Sequence, residues 1–366
     1  MQRRVGAALV GMGGAVASTV VAGIELLRLG LIGDEGLPLA DADEDQLVAY
    51  TQLCFGGWDV DASDLAKAAD VHRVLDDAHL RAVGSTLARY RPWPAVGSPS
   101  FCRNIDGSNV TASTSLRSCA DAVISDLEAF RVDQHLDEVI VVNLASTERW
   151  ADPASPALND VREFERALDD DDSETISPAM LYAYGAITSG FPYVNFTPSQ
   201  GGDVPALVEL ATRAGVPIAG KDGKTGQTML KTVLAPGLRS RALRVDGWYS
   251  ANLLGNRDGQ ALEDAASLAS KRATKSSVLD DVLGYAVPDH LVDIRYYRPR
   301  GDEKEAWDSI DVVGFMGRRM QVKVNFLCRD SVLAAPLVIE LIRLMDLAHR
   351  RGESGVQEQF GTFFKA

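Results

Sequence analysis

Lysine is scarce in this chain, with nine residues against 28 arginines. Eight of the nine lie after position 220, at Lys221, Lys224, Lys231, Lys271, Lys275, Lys304, Lys323 and Lys365. A buried lysine amine gives up its proton, whereas a guanidinium in practice does not. In a chain that covers its surface with arginine, each lysine is therefore a candidate for proton transfer or for holding a developing oxyanion. Lys271 and Lys275 stand four apart, which on a helix puts both on one face. Two like charges there cost stability unless an anion lies between them; a solvated basic face is the alternative.

The second chemical signal is Ala219-Gly-Lys-Asp-Gly-Lys-Thr-Gly-Gln-Thr228. It follows the apolar run Val216-Pro-Ile218 and precedes a helical stretch, Met229 to Ala235. A glycine-rich loop between a strand and a helix N-terminus can hold a phosphate. It is not a nucleotide P-loop. That pattern, ending at Thr225, needs glycine where Ile218 stands, and the frame from Gly215 reaches Lys221 and then Asp222 rather than Ser or Thr. The loop reads as an anion site of another kind, rich in lysine, aspartate and threonine.

Stepping outward, the elements that would carry these groups alternate strand and helix through the first 228 residues. Arg4 to Val10 is a continuous apolar strand, followed by Gly11-Met-Gly-Gly14 and a helix over Ala15–Leu27. This is the opening unit of a dinucleotide-binding fold, although Gly-x-Gly-x-x-Gly needs glycine at Val16. Ser18 and Thr19 lie one turn into the helix, where they either touch phosphate or pack. Cys54-Phe-Gly-Gly-Trp-Asp59 closes a second strand on an acid, the place of a ribose ligand. Its distance from the glycines implies an insertion over residues 30–48. Asp64 to Asp76 reads as a helix, residues 89–108 as an extended loop and Leu116 to Phe130 as a helix. Glu138 to Glu148 and Phe191 to Pro198 are strands ending in polar residues, the edge where α/β ligands bind. Ser177 to Ser189 and Val204 to Ala214 are helices. Such alternation favours a parallel sheet.

Beyond Met229 the texture changes. Arg241 to Tyr249, Leu291 to Tyr297 and Arg319 to Cys328 alternate in polarity, as strands of a half-exposed sheet do. Asn252 to Gly259 is polar and turn-rich. Asp330 to His349 is a long amphipathic helix, and the tail ends in aromatics and Lys365, where fraying is the default.

The formal net charge of −14 and the sequence pI of about 4.9 argue against nucleic acid or an anionic membrane as the main partner. No apolar run reaches the length of a membrane span, and no secretory signal opens the chain. The four scattered cysteines read as reduced, which with the missing signal points to the cytoplasm.

Taken in order, these stretches resemble the myo-inositol-1-phosphate synthase family over nearly the whole chain. The match rests on Gly11-Met-Gly-Gly14 with Ser18-Thr19, the strand ending at Asp59, Asn143 to Glu148, Val194 to Pro198 and Asp222 to Thr228. It continues through Leu254 to Gly259, Ser270 to Ser277, Gly301 to Lys304 and Cys328 to Ser331. The resemblance implies a Rossmann-type doubly wound α/β fold with an inserted α+β catalytic and tetramerisation domain. Residues 1–228, completed by 329–366, would bind NAD, and 229–328 would be the insertion.

The activity it implies is a redox-neutral cyclisation of a hexose 6-phosphate to a cyclitol phosphate. Oxidation at C5 is followed by enolisation at C6, ring closure and reduction. Glucose 6-phosphate is the expected substrate, with fructose 6-phosphate closing to a five-membered ring as the alternative. A simple dehydrogenase or a regulatory NAD-binding relative are the other classes. The catalytic residues carried over are Lys271, Lys275, Lys304, Lys365, Asp222 and Asp330. Cofactor contacts fall on Gly11, Gly13, Gly14, Ser18, Thr19, Asp59, Ala145 and Ser146, with Asp222 and Asp330 shared. Substrate contacts fall on Lys224, Thr225, Gly226, Gln227, Asn252, Leu254 and Asn256 beside the four lysines. No metal is implied, and a homotetramer is. Where the family usually has asparagine after its glycines, this chain has Ala15-Val-Ala17.

Overall fold

The computed structural model describes residues 3–42, 46–103, 107–255, 279–280 and 282–365. Strand β1 (Val5–Val10) is buried at every position, as a central parallel strand covered on both faces must be. It pairs in parallel with β2 (Leu53–Asp59) on one side and β4 (Glu138–Asn143) on the other. The sheet extends past β2 to β3 (Trp93–Pro94) and past β4 to β5 (Tyr193–Asn195), β6 (Pro217–Gly220) and β11 (Gly355–Val356), all parallel. Chain order thus reverses between β1 and β4, the topological switch point of a doubly wound α/β sheet.

The two-residue period of β1 divides the core. Ala8 and Val10 face one layer, shared with α4 (Leu116–Asp133), α7 (Pro178–Thr188) and α8 (Pro205–Ala214). Val5, Ala7 and Leu9 face the other, built from α1 (Ala15–Arg28) and α10 (Asp330–Arg350). Ala335, Val338, Ile339, Ile342 and Met345 of α10 are buried there, so a helix late in the chain covers the first strand. The remaining helices of the first half are α2 (Leu65–His72), α3 (Asp77–Leu87), α5 (Pro156–Asn159) and α6 (Val161–Asp169).

Helix α9 (Gly226–Ser240) leads into a second sheet of order β10-β9-β7-β8, comprising β7 (Arg244–Leu254), β8 (Asp289–Tyr296), β9 (Glu303–Val313) and β10 (Arg319–Arg329). β9 pairs antiparallel with β7 and β10, whereas β7 and β8 are parallel. Ala235 on α9 and Val245, Trp248, Ile310 and Val312 on the sheet form its core.

Three local expectations change, and one strand appears where none was expected. The helix expected over 64–76 stops at His72, because Arg73 is left-handed (φ 55°), and a further helix, α3, starts after its cap Asp76. The extended loop after residue 89 contributes β3 to the sheet edge. The polar stretch beginning at Asn252 continues β7 as far as Leu254. Strand β9 is not legible as apolar alternation because its buried face carries Lys304 and Asp308 among Ala306, Ile310 and Val312.

Candidate active site

The glycine turn after β1 is held from within. Gly11 and Met12 both donate their amides to Trp58 O, at 2.9 and 2.9 Å, and Gly14 donates to Gly11 O. Gly13 donates to Asp59 Oδ2 at 2.8 Å, while Asp59 Oδ1 accepts from Asp61 at 2.9 Å. Gly11 has φ +82°, and a Cβ there would stand 3.1 Å from the backbone of Ala145. Only glycine lets the turn lie this close to the end of β4. Gly14 begins α1 without a side-chain cap, so the first helical amides of Ala15 and Val16 have no intrahelical acceptor. Both residues line a cavity of about 250 Å³ together with Gly11, Gly14, Asp59, Ala145 and Ser146.

An uncapped helix N-terminus, a glycine turn without room for a Cβ and a buried acid at the end of β2 fit a dinucleotide's diphosphate and ribose. Gly13 serves through its amide, which fixes Asp59. Ser18 and Thr19 do not reach this site: their hydroxyls donate to Ala15 O at 3.1 and 2.7 Å, inside the helix, and neither lines the cavity.

The same cavity runs across the carboxyl ends of β4, β5 and β6 to Asp222, Thr225, Lys304, Asp330 and Lys365. Asp222 has φ +62°, a conformation tolerated by few side chains other than Asp and Asn. Its carboxylate accepts from Lys365 Nζ at 2.6 Å, and its carbonyl accepts from Lys365 N at 2.9 Å. The tail is docked rather than frayed: Lys224 donates its amide to Phe363 O at 2.8 Å, and Phe364 is buried. Lys304, on the buried face of β9, points Nζ to Asp330 at 3.3 Å, at the start of α10. That helix start is fixed by Asp302, whose carboxylate accepts from Ser331 N and Oγ at 3.2 and 2.6 Å. Burial pushes the Asp302 carboxyl up to about 6, with the Asp330 charge adding to the effect.

Gly226 opens α9 with φ +54°, and a Cβ there would lie 3.2 Å from Lys304 Nζ and 3.5 Å from Asp330 Oδ1. Thr225 lines the cavity beside it. Gln227 is buried and accepts a hydrogen bond from Asn252 Nδ2; Asn252 Oδ1 is buried with no partner among the described residues. Leu254 packs against Ile294 and does not line the cavity. Lys224 reaches Gly361 O at 3.3 Å and lies off the cavity wall; burial and the neighbouring Lys365 charge lower its pKa. Lys221 is tied to Asp203 at 2.8 Å and sits over the Trp150 ring. Lys271, Lys275 and Asn256 lie outside the described residues.

Sequence reasoning quoted the stretches that hold Asp302 and Ser331 but did not single out either residue. Asp302 and Ser331 each adjoin a residue that was singled out, Asp302 two before Lys304 and Ser331 directly after Asp330. Both are capping types, but Asp302 reaches the start of α10 from 29 residues away, which no local pattern shows.

Fold and site together define an NAD(P)-type doubly wound enzyme whose cofactor cleft ends in paired lysines and aspartates. A family model described as myo-inositol-1-phosphate synthase matches residues 45–366. An inositol-3-phosphate synthase of Bacteroides thetaiotaomicron is 38% identical over 99% of this chain and 89% of its own length. The crystal structure of inositol-3-phosphate synthase from Caenorhabditis elegans superposes with TM-score 0.92 at 28% identity, covering 100% of this chain and 81% of that one. A myo-inositol-1-phosphate synthase-related protein from Thermotoga maritima gives 0.82 at 27% identity, covering 99% and 92%. The chain belongs to the myo-inositol-1-phosphate synthase family. It is an isomerase-type cyclase, and its cofactor is NAD. Among the described residues no helix is long and apolar enough to cross a membrane.

Proposed function

We propose that the chain converts glucose 6-phosphate to myo-inositol 1-phosphate by a redox-neutral cyclisation on bound NAD. The observation that carries this reading is the continuity of one cavity, from the glycine turn and Asp59 to Lys304–Asp330 and Lys365–Asp222. A dehydrogenase needs one acid–base group at its hydride site. Two lysines held by aspartates suit a reaction in which negative charge appears on more than one oxygen. The relatives' names, inositol-3-phosphate synthase, support the same substrate.

In this reading Asp59 receives the adenosine ribose, and Gly11, Gly14, Ala15 and Val16 receive the diphosphate. Ala145 and Ser146, on the cavity wall just past β4, would help hold the cofactor. NAD, when bound, would supply the hydride acceptor for C5 and the source of the same hydride after closure. The substrate phosphate lies at the start of α9, against Thr225, Gly226 and Gln227, with Lys224 nearby. Lys304 and Lys365 hold the oxygens that become negative during enolisation and ring closure, where a preorganised cation is worth most. Asp330 and Asp222 aim the two amines and are the carboxylates placed to take up the protons released from the C5 hydroxyl and from C6. Lys271 and Lys275 join them by the family pattern.

The division that suits this chemistry is an NAD-binding unit of residues 1–228 with 329–366 and a catalytic and oligomerisation unit of 229–328. A homotetramer is supported by the outward face of the second sheet, where Tyr249, Leu291, Trp307 and Leu327 are exposed. Such a patch is unusual on a monomer. A cytoplasmic location fits the free cysteines.

The experiment is a product analysis with glucose 6-phosphate and fructose 6-phosphate in parallel, each with NAD. The expected result is a six-membered cyclitol phosphate from glucose 6-phosphate only. A five-membered product from fructose 6-phosphate, with glucose 6-phosphate inert, overturns the substrate assignment and leaves the cyclisation.

A further inference from the structure

Helix α9 has two ends of work. Its first residue, Gly226, opens the helix start that receives the substrate phosphate in the proposed reaction, and a Cβ there would lie 3.2 Å from Lys304 Nζ. Its body packs on the second sheet. The buried stripe of that packing includes Gln227, Lys231 and Ala235, spaced four apart and so on one face. A stripe of leucine would seat a helix without desolvating a charge. Here one of the three is an amide and one an amine.

Each polar member is met by the sheet. Gln227 accepts from Asn252 Nδ2 on β7 and donates Nε2 to Trp307 O on β9 at 3.4 Å. Lys231 donates Nζ to His290 Nε2 on β8 at 2.7 Å and stands 5.9 Å over the Trp248 ring of β7. The carboxylate facing this amine is Asp308 on β9, which is 1% exposed. Asp308 Oδ1 accepts from Trp248 Nε1 and Ser250 Oγ, at 2.7 and 2.7 Å. Burial lowers the Lys231 amine to about 8, and the Asp308 charge opposes that shift. Asp308 and Lys304 alternate inward on the same buried face of β9. Directional polar contacts fix a register that apolar contacts leave free to slide. A slip of α9 along β9 would carry the phosphate seat past Lys304.

We propose that Lys231 and Asp308 are positioning residues for the cyclisation, fixing α9 on β9 and with it the distance from the phosphate seat to Lys304. The proposal rests on the substrate phosphate lying at the start of α9. Neither residue lines the cavity, so both act through the elements that carry the site. A misplacement of about 1 Å costs up to about 10²-fold in rate.

The test is the double variant Lys231→Met with Asp308→Asn, assayed on whichever hexose 6-phosphate the wild type cyclises. Met keeps the stem, and Asn keeps an oxygen for Trp248 and Ser250. Removing both charges together leaves no ion buried alone, so the melting temperature is expected to stay within a few degrees of wild type. NAD affinity is expected within about twofold, KM within about threefold and kcat about tenfold lower or more. A double variant with wild-type melting and wild-type kcat overturns the proposal and makes these contacts structural. A raised KM with kcat unchanged also overturns it, being lost grip on the substrate and not lost aim. If the double variant does not fold, Asp308→Asn alone carries the same expectation, and wild-type kcat in it is equally fatal. A wild type that cyclises neither glucose 6-phosphate nor fructose 6-phosphate overturns the proposed function, and this proposal with it, before any variant is made.

Discussion

Lys365, the penultimate residue, places Nζ 2.6 Å from Asp222 Oδ1, and both side chains are almost completely buried. The pair joins the end of the chain to the loop after β6, where Asp222 already stands at positive φ. A buried ion pair is poor value for stability alone, since desolvation offsets much of its attraction. Its position on the cavity wall gives it a chemical use in the proposed reaction, aiming a lysine at the oxygens that become negative.

Lys365→Met keeps the stem of the side chain and removes the charge. Turnover is expected to fall on the order of 10²–10³-fold, as when one oxyanion donor is lost, with NAD affinity within about threefold of wild type. Steady-state kinetics beside cofactor titration checks this. Full turnover in the variant makes Lys365 a bystander.

Asp59 accepts a hydrogen bond from Gly13 N and so holds the glycine turn, apart from the ribose contact proposed for it. Asp59→Ala is therefore expected to weaken NAD binding by about tenfold or more and also to lower the melting temperature by several degrees. A carboxylate there repels a 2′-phosphate, so the wild type is expected to reject NADP. Tighter binding of NADP than of NAD by the wild type contradicts the ribose assignment.

Gly226→Ala combines two penalties. The left-handed φ costs about 1 kcal/mol for a residue with a Cβ, and the new methyl group meets Lys304 Nζ. The expected outcome is a turnover about tenfold lower with NAD affinity unchanged. Equal loss in both quantities points instead to general disorder of the α9 start.

His290 on β8 and Lys231 on α9 form a part-buried contact, Nζ to Nε2 at 2.7 Å. Burial, and then the Lys231 charge, hold the His290 pKa down at about 4, against 6.5 for the free group. The folded state thus binds fewer protons than the unfolded chain between these values. The contribution is full above 6.5 and is lost as the pH falls through about 4. His290→Gln keeps an acceptor for Lys231 and removes the titration. Its melting temperature is expected to fall less steeply than that of the wild type over this range, and parallel curves sink the account.

Much of the nucleotide half was legible because its signals are local. Strand β1 is apolar at every position from Val5 to Val10 apart from one glycine, and the glycines follow at once. The site at the other end depends on contacts distant in sequence. Lys304 and Asp330 were marked, yet β9 itself was hidden because its inner face is charged. The docking of Lys365 rests on main-chain bonds from Lys224 to Phe363 and from Lys365 to Asp222, which leave no trace in composition. Ser18 and Thr19 looked like phosphate ligands by position alone. Whether such a hydroxyl turns outward or bonds Ala15 O is decided by the packing of α1. Lys221 counted as a loop cation until Asp203 and Trp150, remote in sequence, were seen to hold it.

The central claim is that one bound NAD both removes and restores the same hydrogen. The direct measurement is turnover of glucose 6-phosphate deuterated at C5, with NAD at far less than one equivalent of substrate. The account predicts many turnovers, a cyclised phosphate with deuterium retained at the former C5, and no accumulating NADH. Deuterium appearing in free NADH, with product limited by the NAD supplied, would contradict it and make the protein a dehydrogenase.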